Sequence, residues 1–107
     1  MAEDVNKKLE QLQSILAQRT GGKITSNWDA DFRCFRFDFE RHDGKRYLLD
    51  LHEDFLLRDV DKTIEQLEAE HYEKVLEAQA GKSVPCFGAD NKFADASTFR
   101  EWPSPSR

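Results

Sequence analysis

A chain of 107 residues has room for one domain and none for a separate catalytic one; folded, it would bury roughly two-thirds of the surface its unfolded chain exposes. Charged side chains make up 35% and the net charge is -5, which opposes the sequence-independent attraction of a nucleic-acid backbone, yet eight Phe, two Trp and two Tyr supply a real core and exclude wholesale disorder. No apolar run approaches the roughly 18 residues of a membrane helix and no charged-then-apolar leader follows Met1, so a cytoplasmic setting is the expectation.

Val5, Leu9, Leu12 and Leu16 recur at i, i+4, i+7 and i+11 and form one apolar stripe on a first helix, which Thr20-Gly21-Gly22 stops. The stripe spans only about two heptads, too short for an isolated coiled coil, so packing within the chain is its expected use; monomer and homodimer both remain open. Lys23 to Trp28 reads as a first strand. With a turn over residues 29–32, Ile24 would face Phe37 and Trp28 would face Arg33, whose guanidinium would cap the indole.

Phe32 to His52 carries the strongest signal, two alternating runs around His42, Asp43 and Gly44. A two-residue Asp43-Gly44 turn would set Phe37 against Asp50 and Phe39 against Leu48, mixing apolar and charged side chains on one face. A three-residue loop with Gly44 left-handed instead pairs Phe35 with Leu51, Phe37 with Leu49 and Phe39 with Tyr47. The opposite face then pairs Arg36 with Asp50 and Glu40 with Arg46, at about 0.2 to 1 kcal/mol for each opposite-charge pair. The three-residue loop is therefore expected, with a buried aromatic face and a solvated charged one.

Beyond His52, Phe55, Leu56 and Leu57 lead into a long helix in which Val60, Ile64, Leu67, His71 and Val75 follow the 3.6-residue period. It ends at Gly81, with Asp59 or Asp61 near its start. The expectation is an α+β domain over residues 1–81, in the order helix, three antiparallel strands, helix, with both helices on one sheet face. Residues 82–107 hold all three prolines and no sustained period, and read as a tail. Phe87, Phe93, Phe99 and Trp102 are too many aromatics for a solvated linker. The tail is either a strap docked on its own domain or an arm for a partner; docking ranks first, because an exposed aromatic segment invites aggregation.

Charge is unevenly placed. Residues 53–81 hold nine acidic side chains against three basic ones, whereas residues 32–46 hold five basic against three acidic. The bland account is a soluble helix surface; the sharper one is an acidic face, Asp59, Asp61, Glu65, Glu68, Glu73 and Glu77, presented to a basic partner. Small acidic inhibitors, among them immunity proteins and DNA-mimicking anti-restriction proteins, are similar at this level of charge alone. A second candidate partner surface is the outer sheet face and tail, with Arg36, Leu48, Asp50, Phe93, Phe99 and Trp102.

The helix, three strands, helix order also resembles that of double-stranded-RNA-binding domains, which implies a lysine cluster gripping phosphates at the start of the second helix. Here that position reads Asp54-Phe55-Leu56-Leu57-Arg58-Asp59-Val60-Asp61, which repels them. A basic hairpin tip, Arg41, Lys45 and Arg46, keeps nucleic-acid binding as the alternative. For catalysis, the register sets Cys34 opposite His52, the start of a thiol–imidazole pair, but no third orienting group or oxyanion loop completes it. His71 on the apolar stripe reads as a core-edge histidine and His42 as a turn residue. Three scattered histidines and two distant cysteines offer no metal-ligand spacing, and reduced thiols are expected. The reading is a non-enzymatic interaction module, a regulator, inhibitor or accessory subunit without cofactor or metal, acting on another protein with a basic surface.

Overall fold

The computed structural model describes residues 3–103, with side chains from residue 6 onward, so the Val5 side chain of the first-helix stripe and the last four tail residues lie outside it. Alternation in the central run sets the frame. Strands β2 (Cys34–Arg41) and β3 (Arg46–His52) pair antiparallel, with Phe35 opposite Leu51, Phe37 opposite Leu49 and Phe39 opposite Tyr47. The loop is His42-Asp43-Gly44: the Arg41 N–H donates to the Lys45 carbonyl at 2.9 Å, and Gly44, at φ +85°, donates to the Arg41 carbonyl at 3.1 Å. That left-handed position is the one a side chain resists. All six inner-row side chains are at most 5% exposed.

Strand β1 (Gly22–Asp29) pairs antiparallel with β2, but two residues away from the expected register: Ile24 faces Phe39 and Trp28 faces Phe35. The turn is Ala30 to Arg33, because the Asp29 carboxylate accepts the backbone N–H groups of Asp31 (3.0 Å) and Phe32 (3.3 Å) and holds Asp29 in the strand. Arg33 closes it with φ +53°. A two-residue shift preserves the faces, so Ile24 and Trp28 stay on the inner side. Trp28 packs on Phe35, ring centroids 4.8 Å apart, and Arg33 pairs with Glu53 rather than capping the indole.

Helix α1 (Glu3–Thr20) lays Leu12 and Leu16 into the core and ends where Gly21 turns left-handed, its N–H donating to the Ala17 carbonyl at 2.9 Å. The second helical stretch is not one rod. A 3-10 turn (Glu53–Leu57) buries Phe55 and Leu56, then α2 (Val60–Ala69) and α3 (Tyr72–Gln79) follow, broken at His71 with φ +54°. Asp59 caps α2, its carboxylate accepting the Asp61 N–H at 2.9 Å. An unbroken helix would keep His71 and Val75 on the stripe. The break re-phases the chain so that Tyr72 and Leu76 are buried instead, leaving His71 exposed and Val75 half-buried. The core gains an aromatic ring and loses a polar one.

The sheet has four strands and is mixed. After β4 (Ser83–Val84), strand β5 (Cys86–Phe87) joins β3 in parallel, with Cys86 opposite Asp50 and Phe87 opposite Leu51. Phe87 is fully buried against Phe55 and Phe93, at centroid distances of 5.1 and 4.9 Å. After a 3-10 turn (Ala96–Thr98), strand β6 (Arg100–Glu101) pairs antiparallel with β4 in a second ladder. The domain is thus α+β with three helices, and side chains from α1, α2, α3 and the inner row share one core cluster. Among the described residues no helix is long and apolar enough to cross a membrane.

The outer sheet face is the largest departure from expectation. Cys34, Leu48 and Asp50 point there and are only 2%, 1% and 1% exposed, because residues 83–102 return across that face. The face expected from sequence to be solvated is covered over Cys34, Leu48 and Asp50, and stays exposed at Lys23, Thr25, Asn27, Glu40 and Arg46.

Candidate functional site

Two regions carry the chemistry: the ionic cluster beneath the returning chain, and the helical face opposite it. In the first, alternation points Arg36 and Asp50 outward on adjacent strands, and their side chains meet in a fork: Arg36 Nε donates to Asp50 Oδ1 at 2.8 Å and Nη2 to Oδ2 at 3.1 Å. Arg100, from β6, closes the cluster. Its Nε and Nη2 donate to Asp50 Oδ2 at 3.0 and 2.8 Å, and its Nη1 donates to Asp29 Oδ2 at 2.5 Å. The guanidinium also lies 4.1 Å over the Phe32 ring and reaches Cys34 Sγ at 3.4 Å. Two arginines face two aspartates, so the buried charge sums to zero, which is the condition for burying charge at tolerable cost. The hydrogen bond from Arg100 holds the Asp29 carboxyl below its ordinary value.

The cluster decides the standing of Cys34. Burial, then the nearby Asp50 charge, pushes the thiol up to about 11, so it stays protonated at neutral pH, the opposite of an activated nucleophile. Cys34 and His52 are cross-strand partners as the register implies. The imidazole, however, is engaged elsewhere, its Nδ1 accepting the Asp54 N–H at 3.1 Å to cap the 3-10 turn. Cys86 is a second free thiol, also raised by burial. Among the described residues no group of His, Cys, Asp and Glu is arranged to hold a metal.

The outer-face and tail residues expected to meet a partner are mostly occupied internally. Leu48 and Asp50 are buried, Arg36 is spent on Asp50, and Phe93 packs edge-on against Phe87. Phe99 is half-buried, and so is Trp102, with the Arg46 guanidinium 5.9 Å over its ring. At the hairpin tip Arg41 pairs with Asp43 at 3.5 Å and lies 5.7 Å over Tyr47. Arg46, opposite Glu40 in register, instead forks onto Asp38, with its Nη2 2.6 Å from Oδ2. Lys45 alone of the tip cations remains exposed without an ion pair among the described residues.

The acidic helix residues lie otherwise. Asp59, Asp61, Glu65, Glu68, Glu73 and Glu77 are all exposed. Glu68 pairs with Arg19 of α1; the other five take part in no salt bridge among the described residues. Asp59 and Asp61 border an open cavity of about 730 Å³ between α1 and the start of α2. Asp61, Glu65 and Glu68 border a second of about 450 Å³ along the same seam. Glu68 and Glu73 border a third of about 270 Å³ at the His71 break. Glu77 stands apart, beside a hollow of about 430 Å³ shared with the hairpin tip and Trp102.

Sequence reasoning missed Arg100 and Asp29, which lie 50 and 71 residues from the groups they join and share no local pattern with them. It also missed the Tyr72 hydroxyl, which is buried without a hydrogen-bond partner; burial, then the Glu73 and Glu68 charges, pushes that phenol above its ordinary range. Comparison with protein-family models, with curated proteins and with solved structures gives no match for this chain.

Proposed function

We propose that this protein is a non-catalytic interaction module, a regulator, inhibitor or accessory subunit, whose acidic α2–α3 face receives a basic surface of another protein. One observation carries the reading: most charges of the sheet side are paired within the fold, whereas five exposed carboxylates on or beside α2 and α3 have no ion-pair partner among the described residues. These carboxylates outnumber the exposed cations of the same helices, Lys62 and Lys74, and an excess of one sign on a rigid face speeds and orients association with the opposite sign. Two free thiols suit a reducing, cytoplasmic setting. Nucleic-acid binding through the hairpin tip is the second reading, and the internal pairing of Arg41 and Arg46 weighs against it.

The test is capture of bound proteins from cells that make this chain, using the whole protein and a triple variant, Asp61→Lys with Glu65→Lys and Glu73→Lys, at low and physiological ionic strength. All three positions are exposed, so folding should persist. Loss of the captured partner by the variant, with association slowed on the order of tenfold or more, supports the reading. Capture unaffected by charge reversal and by salt refutes it.

A further inference from the structure

The three concavities along the helices share walls: Ile15 and Asp61 belong to both the first and the second, and Glu68 to both the second and the third. They therefore line up as one trough along the α1–α2 seam to the His71 break, crossed by the Arg19–Glu68 ion pair where the second meets the third. Its floor is apolar, with Ile15 and Val60 half-buried and Ile64 4% exposed. Its α2 wall is acidic, its α1 side carries Lys8 and Arg19, and its far end holds Lys74 and the buried Tyr72, whose hydroxyl feels Glu73 and then Glu68.

We propose that this trough docks an amphipathic, basic helix of the partner protein. Apolar side chains one turn apart rest on Ile15, Val60 and Ile64, lysines or arginines run along Asp61 and Glu65, and a terminal cation reaches Glu73. The inference rests on the interaction reading above and adds the place and the form of the partner. Charge complementarity selects the occupant. A nucleic-acid backbone would meet carboxylates of its own sign, and a second copy of this chain would bring the same acidic wall against itself. The wall carried by α2 is ten residues, about 15 Å, long enough for nearly three turns of a docked helix. A helix on such a seam makes anchors at i, i+3 or i+4, and i+7, the spacing that an apolar floor with a charged wall reads.

The experiment uses the whole chain and three synthetic probes: a leucine–lysine peptide patterned as an amphipathic helix, a scramble of the same composition, and oligolysine. Anisotropy gives affinity, and methyl NMR follows Ile15, Val60 and Ile64. The patterned peptide should bind at least tenfold tighter than either control and shift those three methyl groups. Asp61→Lys with Glu65→Lys should weaken it by tenfold or more while the fold stays intact, both positions being exposed. Equal binding of all three probes overturns the groove while leaving the acidic-face reading standing, because charge alone would then suffice. Absence of patterned-peptide binding overturns the groove as well, and the charge-reversed capture above decides separately whether the broader reading survives. Self-association of the chain that shifts the same methyl groups assigns the trough to a second copy and also overturns the proposal.

Discussion

Arg100→Ala should open the strap. The substitution removes two hydrogen bonds to Asp50 and one to Asp29, and it uncovers the Phe32 ring. The Asp50 side chain, 2% exposed, then keeps Arg36 alone. Removing one partner of a buried ion pair costs about 3–5 kcal/mol when the other charge is left uncompensated. Here the Arg36 fork still neutralises Asp50, and the Arg100 side chain is 23% exposed, so the expected loss is about 2–3 kcal/mol. Against a total stability of about 5–15 kcal/mol this is large, and it corresponds to a melting temperature roughly 10–20 °C lower. Urea unfolding of the variant measures the loss. Hydrogen exchange locates it: the Asp50 amide, bonded to the Pro85 carbonyl, and the Trp102 amide, bonded to the Lys82 carbonyl, should lose protection before the helices do. Arg100→Lys should fall between, keeping the charge without the fork. Arg46→Ala, which breaks an ion pair whose arginine is 46% exposed, should cost about 1 kcal/mol or less. An Arg100→Ala protein within about 0.5 kcal/mol of the parent, with both amides still protected, would refute the clasp.

Four further outcomes follow from the same geometry. Leu48→Lys, at a position 1% exposed, should destabilise by about 3 kcal/mol or more in urea unfolding, and near-neutrality would mean that the returning chain does not cover the outer face. Tyr72→Phe removes an unbonded buried hydroxyl and should be neutral or stabilising by up to about 1 kcal/mol; a clear loss would reveal a partner for that oxygen. A chain ending at Gly81 lacks Phe87 and Arg100 and should lose cooperative unfolding by calorimetry, whereas an unchanged sharp transition would show that residues 82–107 add nothing to the fold. Cys34 should react slowly with thiol reagents at neutral pH; because its value is raised from 9.0 to about 11 in the fold, the native state holds its proton more tightly. Stability should therefore be intact below pH 9 and decline between pH 9 and 11, and a Cys34→Ala protein should lose less across that window.

Several features were readable from the residues alone for a local reason. In the β2–β3 hairpin, side-chain direction has period two and the loop is only three residues, so the inner row and the Arg36–Asp50 pair follow from matching both faces. The α1 stripe and the Asp59 cap are likewise short-range patterns. Where a competing local interaction entered, the reading slipped. The Asp29 carboxylate moved the β1 turn by one residue and so the pairing by two, and the demand for Tyr72 in the core broke a helix whose period looked continuous through His71.

Tertiary structure alone decided the rest. Strands of two residues, such as β5, leave no period to read, and a parallel neighbour for β3 depends on where the chain returns, not on its own pattern. Arg100 gives no hint in its neighbourhood that it will meet Asp50 and Asp29. That meeting changes the meaning of the outer face, turning Leu48, Asp50 and Cys34 from surface candidates into a covered layer. On the helical side, whose acidic composition was visible from the start, it leaves most of the exposed carboxylates without an ion-pair partner among the described residues. Composition named the charge, but only packing determined which charges were already satisfied, because burial and pairing are set by contacts between residues far apart in the chain.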